Sequence, residues 1–339
     1  MMRIEHGGAL DRAIERFGGT PGDWIDLSTG INPETFPLPP FKEETWNRLP
    51  DEKLLRSAID GAREYYGAGH LAGIVPAPGT QSLIQLLPHI LGAKGEVAIL
   101  GPTYQEHGAS FLDAGWRLSN CTNIDEVAPS AKVVIIVNPN NPDGRIIPKE
   151  PLLDLARRMA GRSGVLIVDE AFADAHPEVS IATHSGMSGL IVLRSFGKFF
   201  GLGGLRLGFA LTTGEIAQVL SRRLGPWAVS GPALAIAAHA FSAKDDLANF
   251  SERLEARRKL LKLVLAQSGL VEVGGTALFS LVEFARAEQL QQALCTQHVL
   301  TRKFEYAPQW LRFGLPVDEI AAQRLQKRLV RALGVVGGC

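Results

Sequence analysis

The stretch Leu190-Ile191-Val192-Leu193-Arg194-Ser195-Phe196-Gly197-Lys198-Phe199-Phe200-Gly201-Leu202-Gly203-Gly204-Leu205-Arg206-Leu207-Gly208 decides the fold. Leu190 to Leu193 is a short apolar run that reads as a buried strand, and Leu205 to Leu211 reads as another. Between them a lysine sits among bulky apolar residues and glycines, with an arginine eight positions later. Desolvation in such surroundings favours the neutral amine, the form that attacks a carbonyl to make a Schiff base. A serine and an arginine flanking that lysine suit a phosphate dianion. In isolation Gly197-Lys198 reads more simply as a surface lysine in a flexible loop. No glycine precedes the pair at the spacing of a Walker loop, and Gly201-x-Gly203-x-x-Arg206 lacks the third glycine of a dinucleotide fingerprint.

Working outward, Val97 to Leu100, Val133 to Val137 and Val165 to Val168 are further short apolar runs. Together they predict a mostly parallel sheet covered on both faces. Leu54, Leu55, Ala58, Ile59, Ala62 and Tyr65 recur at helical spacing, and Thr80 is placed to cap a helix carrying Leu83, Leu86 and Leu87. The carboxyl ends of the strands run into Gly101-Pro102-Thr103-Tyr104, Asn138 to Gly144, Asp169-Glu170 and Ser195 to Lys198. In open α/β sheets ligands sit outside those ends. After about residue 213 the pattern becomes long helices near 230–243 and 247–268, short strands near 270–284 and 298–313, and a last helix from about 317. This predicts a smaller α+β domain. The N-terminal residues, with one helix near Leu10 to Phe17 and an extended Asp26-Leu27-Ser28, are too few to fold alone and are expected to pack on it. The expected division is a large domain over 36–228 and a small one formed by 1–35 and 229–339.

Composition excludes several classes. Lys plus Arg and Asp plus Glu both number 35, so the formal charge is zero and no global field draws the chain to nucleic acid or an anionic membrane. At 46% hydrophobic and 21% charged residues among 339, the chain is neither disordered nor of low complexity, and it is long enough for a sealed core. Cys121, Cys295 and Cys339 lie far apart and form no CxxC, so neither a disulfide framework nor a thiolate metal site is expected. Cys339 is the last residue, not fourth from the end, and so no prenylation signal. The opening Met1-Met2-Arg3-Ile4-Glu5-His6 does not read as a secretory signal, and no apolar run is long enough to span a membrane. The cytoplasm is the expected compartment.

Val168-Asp169-Glu170-Ala171-Phe172 ends an apolar strand in an acid, which alone fits a Mg²⁺ ligand or a helix cap equally well. Asn138-Pro139-Asn140-Asn141-Pro142-Asp143-Gly144 is a turn, because two prolines and a glycine forbid a continuing helix or central strand. In the order Asn-Pro-x-Gly, Asp-Glu-Ala, then Ser-x-x-Lys with Arg eight residues on, these segments resemble the fold-type I pyridoxal-phosphate enzymes of the class I/II aminotransferase superfamily. The resemblance covers nearly the whole chain. It implies an α/β large domain with a mostly parallel sheet plus a small α+β domain, pyridoxal 5'-phosphate as cofactor, no metal, and a homodimer. It implies Lys198 as the lysine that bonds the cofactor, Asp169 as partner of the pyridine nitrogen, and Asn141 as donor to the 3-oxygen. Ser195 and Arg206 are implied as phosphate ligands, with Gly79-Thr80-Gln81 cupping that phosphate at a helix N-terminus. Tyr104 matches the aromatic residue that stacks on the ring.

Near the C-terminus, Leu311-Arg312-Phe313-Gly314 is similar to the family's carboxylate-binding segment, a bidentate fork for an amino acid. Leu300-Thr301-Arg302 matches an arginine that branches acting on phosphorylated substrates use for the substrate phosphate. Two branches share it, the histidinol-phosphate aminotransferases and the threonine-phosphate decarboxylases. His6-Gly7-Gly8 and Asp26-Leu27-Ser28-Thr29-Gly30-Ile31-Asn32-Pro33 resemble the opening of the decarboxylases, and His6 is implied in substrate binding. Phe172 points the same way, since the transaminases of this group typically carry Tyr there. Gly30 stands where the pattern has Asn, leaving only a backbone N–H, and Leu49-Pro50 stands where it has Tyr-Pro. The resemblance therefore implies decarboxylation of a small phosphorylated amino acid, with histidinol-phosphate-type transamination as the alternative. A third reading is a catalytically silent, ligand-sensing module of the same fold. Lys198 and the lack of an appended DNA-binding segment speak against it.

Overall fold

In chain order the strands are β1 (Ile25–Asp26), β2 (Ala72–Ala77), β3 (Glu96–Leu100), β4 (Arg117–Cys121), β5 (Ala131–Val137), β6 (Val165–Asp169), β7 (Leu190–Ser195), β8 (Gly208–Thr213), β9 (Glu272–Thr276), β10 (Phe279–Glu283), β11 (Val299–Leu300), β12 (Arg302–Lys303) and β13 (Trp310–Gly314). They belong to a computed structural model that describes residues 6–337. The Met1 to Glu5 stretch and Cys339, both read above, lie outside the described residues. The chain forms two compact units, one of 36–141 with 145–248, the other of the N-terminal segment up to Thr35, Pro142–Gly144 and the chain from Asn249 onward.

The larger unit is built on a seven-stranded sheet in the order β2-β8-β7-β6-β5-β3-β4, in which only β8 runs antiparallel to its neighbours. β5, β6 and β7 are almost unbroken Val, Ile and Leu because helices cover both faces, and Ile135, Ile167 and Ile191 are fully buried. The carboxyl ends of β5 and β6 are level, and β7 runs two residues further, to Ser195. Val137 pairs with Asp169, Asp169 pairs with Leu193, and the N–H groups of Asn138 and Glu170 donate to Asp169 and Leu193 carbonyls, each at 2.9 Å. The helix Gly231–Ser242, apolar on most faces, packs on the helix Glu52–Tyr66 within this unit.

Two local expectations change. The strand expected at Leu205 begins only at Gly208, because the glycines before it allow a 3-10 turn over Gly203–Leu205 and Arg206 adopts a left-handed backbone with φ 55°. Thr80 is the first residue of the helix Thr80–Leu86 rather than its cap. Gly79 takes the cap position, with φ 77° and no side-chain cap bond. β2 and β4 escape pattern reading for different reasons. Gly73 and Pro76 interrupt β2, which as an edge strand tolerates a proline, and β4 is the polar opposite edge.

The smaller unit holds an antiparallel sheet, β12-β13-β10-β9, and a parallel pair, β1 with β11, that ties the N-terminal segment to it. Helices Ala287–Thr296 and Glu319–Gly337 pack together, each burying one apolar stripe. The tip Pro142–Gly144 belongs to this unit. Gly275 N–H donates to the Asp143 carbonyl at 2.9 Å, and a Cβ on Gly144 would lie 1.9 Å from the Gly275 oxygen. Among the described residues no helix is long and apolar enough to cross a membrane.

Close approach also fixes Gly208, where a Cβ would lie 2.6 Å from the Thr80 nitrogen and 3.0 Å from the Gly79 carbonyl carbon. Both obstacles are backbone and cannot rotate away. Gly208→Ala is expected to destabilise the protein by about 1–3 kcal/mol, read as a lower midpoint in urea unfolding. An unchanged midpoint would show that β8 and the Thr80 turn are not locked together.

Candidate active site

Lys198 lies in the one-turn helix Phe196–Phe199 that follows β7 directly. Aromatic packing pins this turn. Phe196 and Phe200 stack with ring centroids 4.2 Å apart, and Phe36 and Phe241 meet them edge-on, all four buried. The lysine itself is half-buried, its Nζ 5.8 Å from the centre of the buried Phe172 ring. Ser195, at the end of β7, is buried and pairs with Gly208.

Asp169 closes β6 and is 3% exposed. His107 Nε2 lies 2.8 Å from its Oδ2, and the Ala171 N–H donates to Oδ1 at 3.1 Å. An ionised carboxylate only accepts, so the proton belongs on Nε2. A buried carboxylate so held suits a cationic ring nitrogen. His107 escapes sequence reading, since it is a lone histidine in the helix Glu106–Asp113, 62 residues from its partner.

Next to Asp169, Glu170 faces Arg194, the residue before Ser195. Arg194 Nη1 donates to Glu170 Oε2 at 2.6 Å, Nη2 lies 3.1 Å from Asp174 Oδ1, and the guanidinium carbon stands 4.4 Å from the centre of the Tyr66 ring. All three charged groups are buried. Burial alone would lower the arginine's pKa, but Asp174 and Glu170 outweigh it and hold the guanidinium charged. Burial pushes the Asp174 carboxyl up against Arg194's pull.

Arg206 and Tyr104 lie by the start of the helix Thr80–Leu86. A Cβ on Gly79 would lie 2.9 Å from Arg206 Nη2, so the glycine turn and the guanidinium adjoin. Arg206 also donates to the Gly203 carbonyl at 3.1 Å. Tyr104 donates to Gln81 Oε1 at 3.1 Å, and Gln81 Nε2 donates to Glu106 at 2.8 Å, which steadies the tyrosine near the same turn. Asn141 follows the β5 turn, whose Asn140 accepts from Thr103 at 2.6 Å and donates to the Pro102 carbonyl at 2.9 Å. First-turn N–H groups, a guanidinium and a hydroxyl are donors of the kind a phosphate dianion takes. With the Asp169 carboxylate and the Lys198 amine they match the three reactive parts of pyridoxal phosphate.

The substrate candidates lie in the smaller unit. Arg302 and Arg312 face each other across β12 and β13. Arg312 is 6% exposed, and its Nη2 donates to the Ser28 carbonyl at 3.0 Å. Burial, then the like charge of Arg302, draws its pKa down to about 10, which leaves it a cation at neutral pH. Ser28 also accepts from the Gly8 N–H at 2.8 Å and donates to Asp26 at 2.6 Å, so one serine joins the His6-Gly7-Gly8 segment to Arg312. His6 is exposed.

This fold and donor set define a class. Residues 23–329 match the family "Aminotransferase class I and II", and the chain belongs to that family. It is 48% identical over 329 residues to a threonine-phosphate decarboxylase of Sinorhizobium sp, covering 97% of this chain and 98% of the relative. It is 42% identical over 331 residues to the threonine-phosphate decarboxylase of Pseudomonas aeruginosa, covering 96% and 97%. A solved histidinol-phosphate aminotransferase of Sinorhizobium meliloti, in complex with pyridoxal-5'-phosphate, superposes with a TM-score of 0.82 at 19% identity, covering 99% of this chain and 96% of that one.

Removing Arg194 would leave two carboxylates buried without their cation. Arg194→Met is expected to cost about 3–5 kcal/mol, seen as a fall in the urea midpoint. A variant as stable as the parent would mean that the cluster does not hold the ends of β6 and β7 together.

Proposed function

We propose that this chain is a pyridoxal-phosphate-dependent carboxy-lyase that converts L-threonine O-3-phosphate to (R)-1-aminopropan-2-ol O-phosphate and carbon dioxide, in cobalamin biosynthesis. The observation that carries the reading is the near full-length identity of 48% and 42% to two threonine-phosphate decarboxylases. Phe172 supports it, being a buried phenyl ring beside Lys198 where the transaminases of the group have a phenol.

Bound pyridoxal phosphate supplies an electron sink for the pair released at the substrate's α-carbon. Gly79, Thr80, Gln81, Ser195 and Arg206 would hold its phosphate, Asp169 its ring nitrogen, Asn141 its 3-oxygen and Tyr104 its face. His107, through the 2.8 Å contact, keeps the Asp169 carboxylate in place. Arg302, Arg312 and His6 would grip the substrate's phosphate and carboxylate so that the Cα–carboxylate bond, not Cα–H, is aligned to break. Lys198 Nζ would then return a proton to Cα. In this reading the enzyme works in the cytoplasm as a homodimer. The exposed Leu38, Trp46, Leu49 and Trp227 of the larger unit are apolar surface of the kind a second copy covers.

The test is a mass-spectrometric product assay of protein loaded with pyridoxal phosphate, given O-phospho-L-threonine in one arm and histidinol phosphate with 2-oxoglutarate in the other. The expected product is aminopropanol phosphate with loss of carbon dioxide, absent in Lys198→Ala. Glutamate formation without carbon dioxide release would make the chain a transaminase instead.

A further inference from the structure

Asn140 is 1% exposed, and both ends of its amide are bonded to the segment that leads into Tyr104. The Pro102 carbonyl can only accept, so the amide NH2 faces it, at 2.9 Å. That turns Oδ1 toward Thr103, whose buried hydroxyl donates to it at 2.6 Å across 37 residues of sequence. Arg145, whose carbonyl accepts from the Asn140 N–H at 2.8 Å, adds a bond of its own from Nη2 to the Gly101 carbonyl at 3.3 Å. Three successive residues beyond β3 are thus fastened to the turn beyond β5. The next residue on each segment is a candidate for the site: Tyr104 follows Thr103, and Asn141 follows Asn140.

We propose that Asn140 is a positioning residue that places two cofactor contacts at once, the Tyr104 ring and the Asn141 amide. The inference rests on the proposed function, which assigns those two residues to the cofactor's face and its 3-oxygen. β3 and β5 are neighbouring parallel strands, so the segments after them leave the sheet side by side. Strand pairing ends where the strands end, and beyond it the buried amide sets the spacing of the two segments. A fully bonded amide in the interior has one low-energy orientation, which makes the clasp rigid. With the clasp broken, each binding event must order both segments, and cofactor affinity falls. The tip of the Tyr104 side chain has its own tie, the hydroxyl bond to Gln81 at 3.1 Å, so the clasp governs where the base of the ring starts.

The test compares Thr103→Val, which keeps the shape but loses the donor to Asn140, with Thr103→Ser, which keeps the donor. Cofactor-free protein is titrated with pyridoxal phosphate, and the absorbance of the bound cofactor is then followed against pH. Affinity reads the Tyr104 stack. The pH midpoint reads Asn141, because a donor to the 3-oxygen favours its ionised form and lowers the midpoint. Thr103→Val is expected to weaken cofactor binding about tenfold and to move the midpoint upward, while Thr103→Ser behaves as the parent. Asn140→Ala is expected to shift both readings the same way, and Thr103→Val added to it to change neither further. Losses that add would overturn the proposal; where Asn140→Ala fails to fold, the Thr103 pair decides. Parent values of affinity and midpoint in Thr103→Val would overturn it, as would movement of one reading without the other. A lower melting temperature of cofactor-free Thr103→Val with both readings unmoved, the mark of simple packing, would overturn it too. If the parent binds the cofactor but does not decarboxylate O-phospho-L-threonine, and the Val and Ser variants still separate, the clasp stands and the reaction assignment falls. A parent that binds no cofactor overturns both.

Discussion

Arg194 sits between Glu170 and Asp174 with all three charges out of water. Taking a guanidinium and two carboxylates into a protein interior carries a desolvation penalty of several kcal/mol per ion, recovered only when the geometry is good. Its position explains why the arrangement persists. Glu170 follows the aspartate at the end of β6, and Arg194 precedes the serine at the end of β7, so the ion pair lies one residue from both chemistry-bearing strand ends. A shift of β6 against β7 would break it.

From that fastening the rest of the larger unit follows. Asp169 ends β6 opposite Leu193, two residues before β7 ends at Ser195 and gives way to the turn that carries Lys198. Stacked phenylalanines hold the turn from below, and His107 holds the carboxylate from the neighbouring helix. The smaller unit has its own logic. Buried Ser28 joins Gly8 of the N-terminal segment, Asp26 and Arg312.

Much of this is legible in the sequence, and the limits are physical. β5, β6 and β7 are unbroken apolar runs because both faces are buried, and such runs are readable without any partner. The motif residues at their ends are readable too, since strand ends are where an open sheet binds ligands. What pattern reading misses are pairings made by register. Glu170 and Arg194 are 24 residues apart, His107 and Asp169 are 62 apart, and nothing local marks either pair. The start of β8 is misread for the opposite reason: Leu205-Arg206-Leu207 alternates like a strand, while the preceding glycines turn the backbone out of one. Asn140 looks like an ordinary turn residue until β3 and β5 bring Pro102 and Thr103 to its amide.

The proposed function requires Lys198 to be the lysine that bonds the cofactor. The most direct measurement is borohydride reduction of protein loaded with pyridoxal phosphate, followed by proteolysis and peptide mass spectrometry. The account predicts one pyridoxyl mass increment, on the peptide that contains Lys198. A label spread over other lysines, or none, would contradict it.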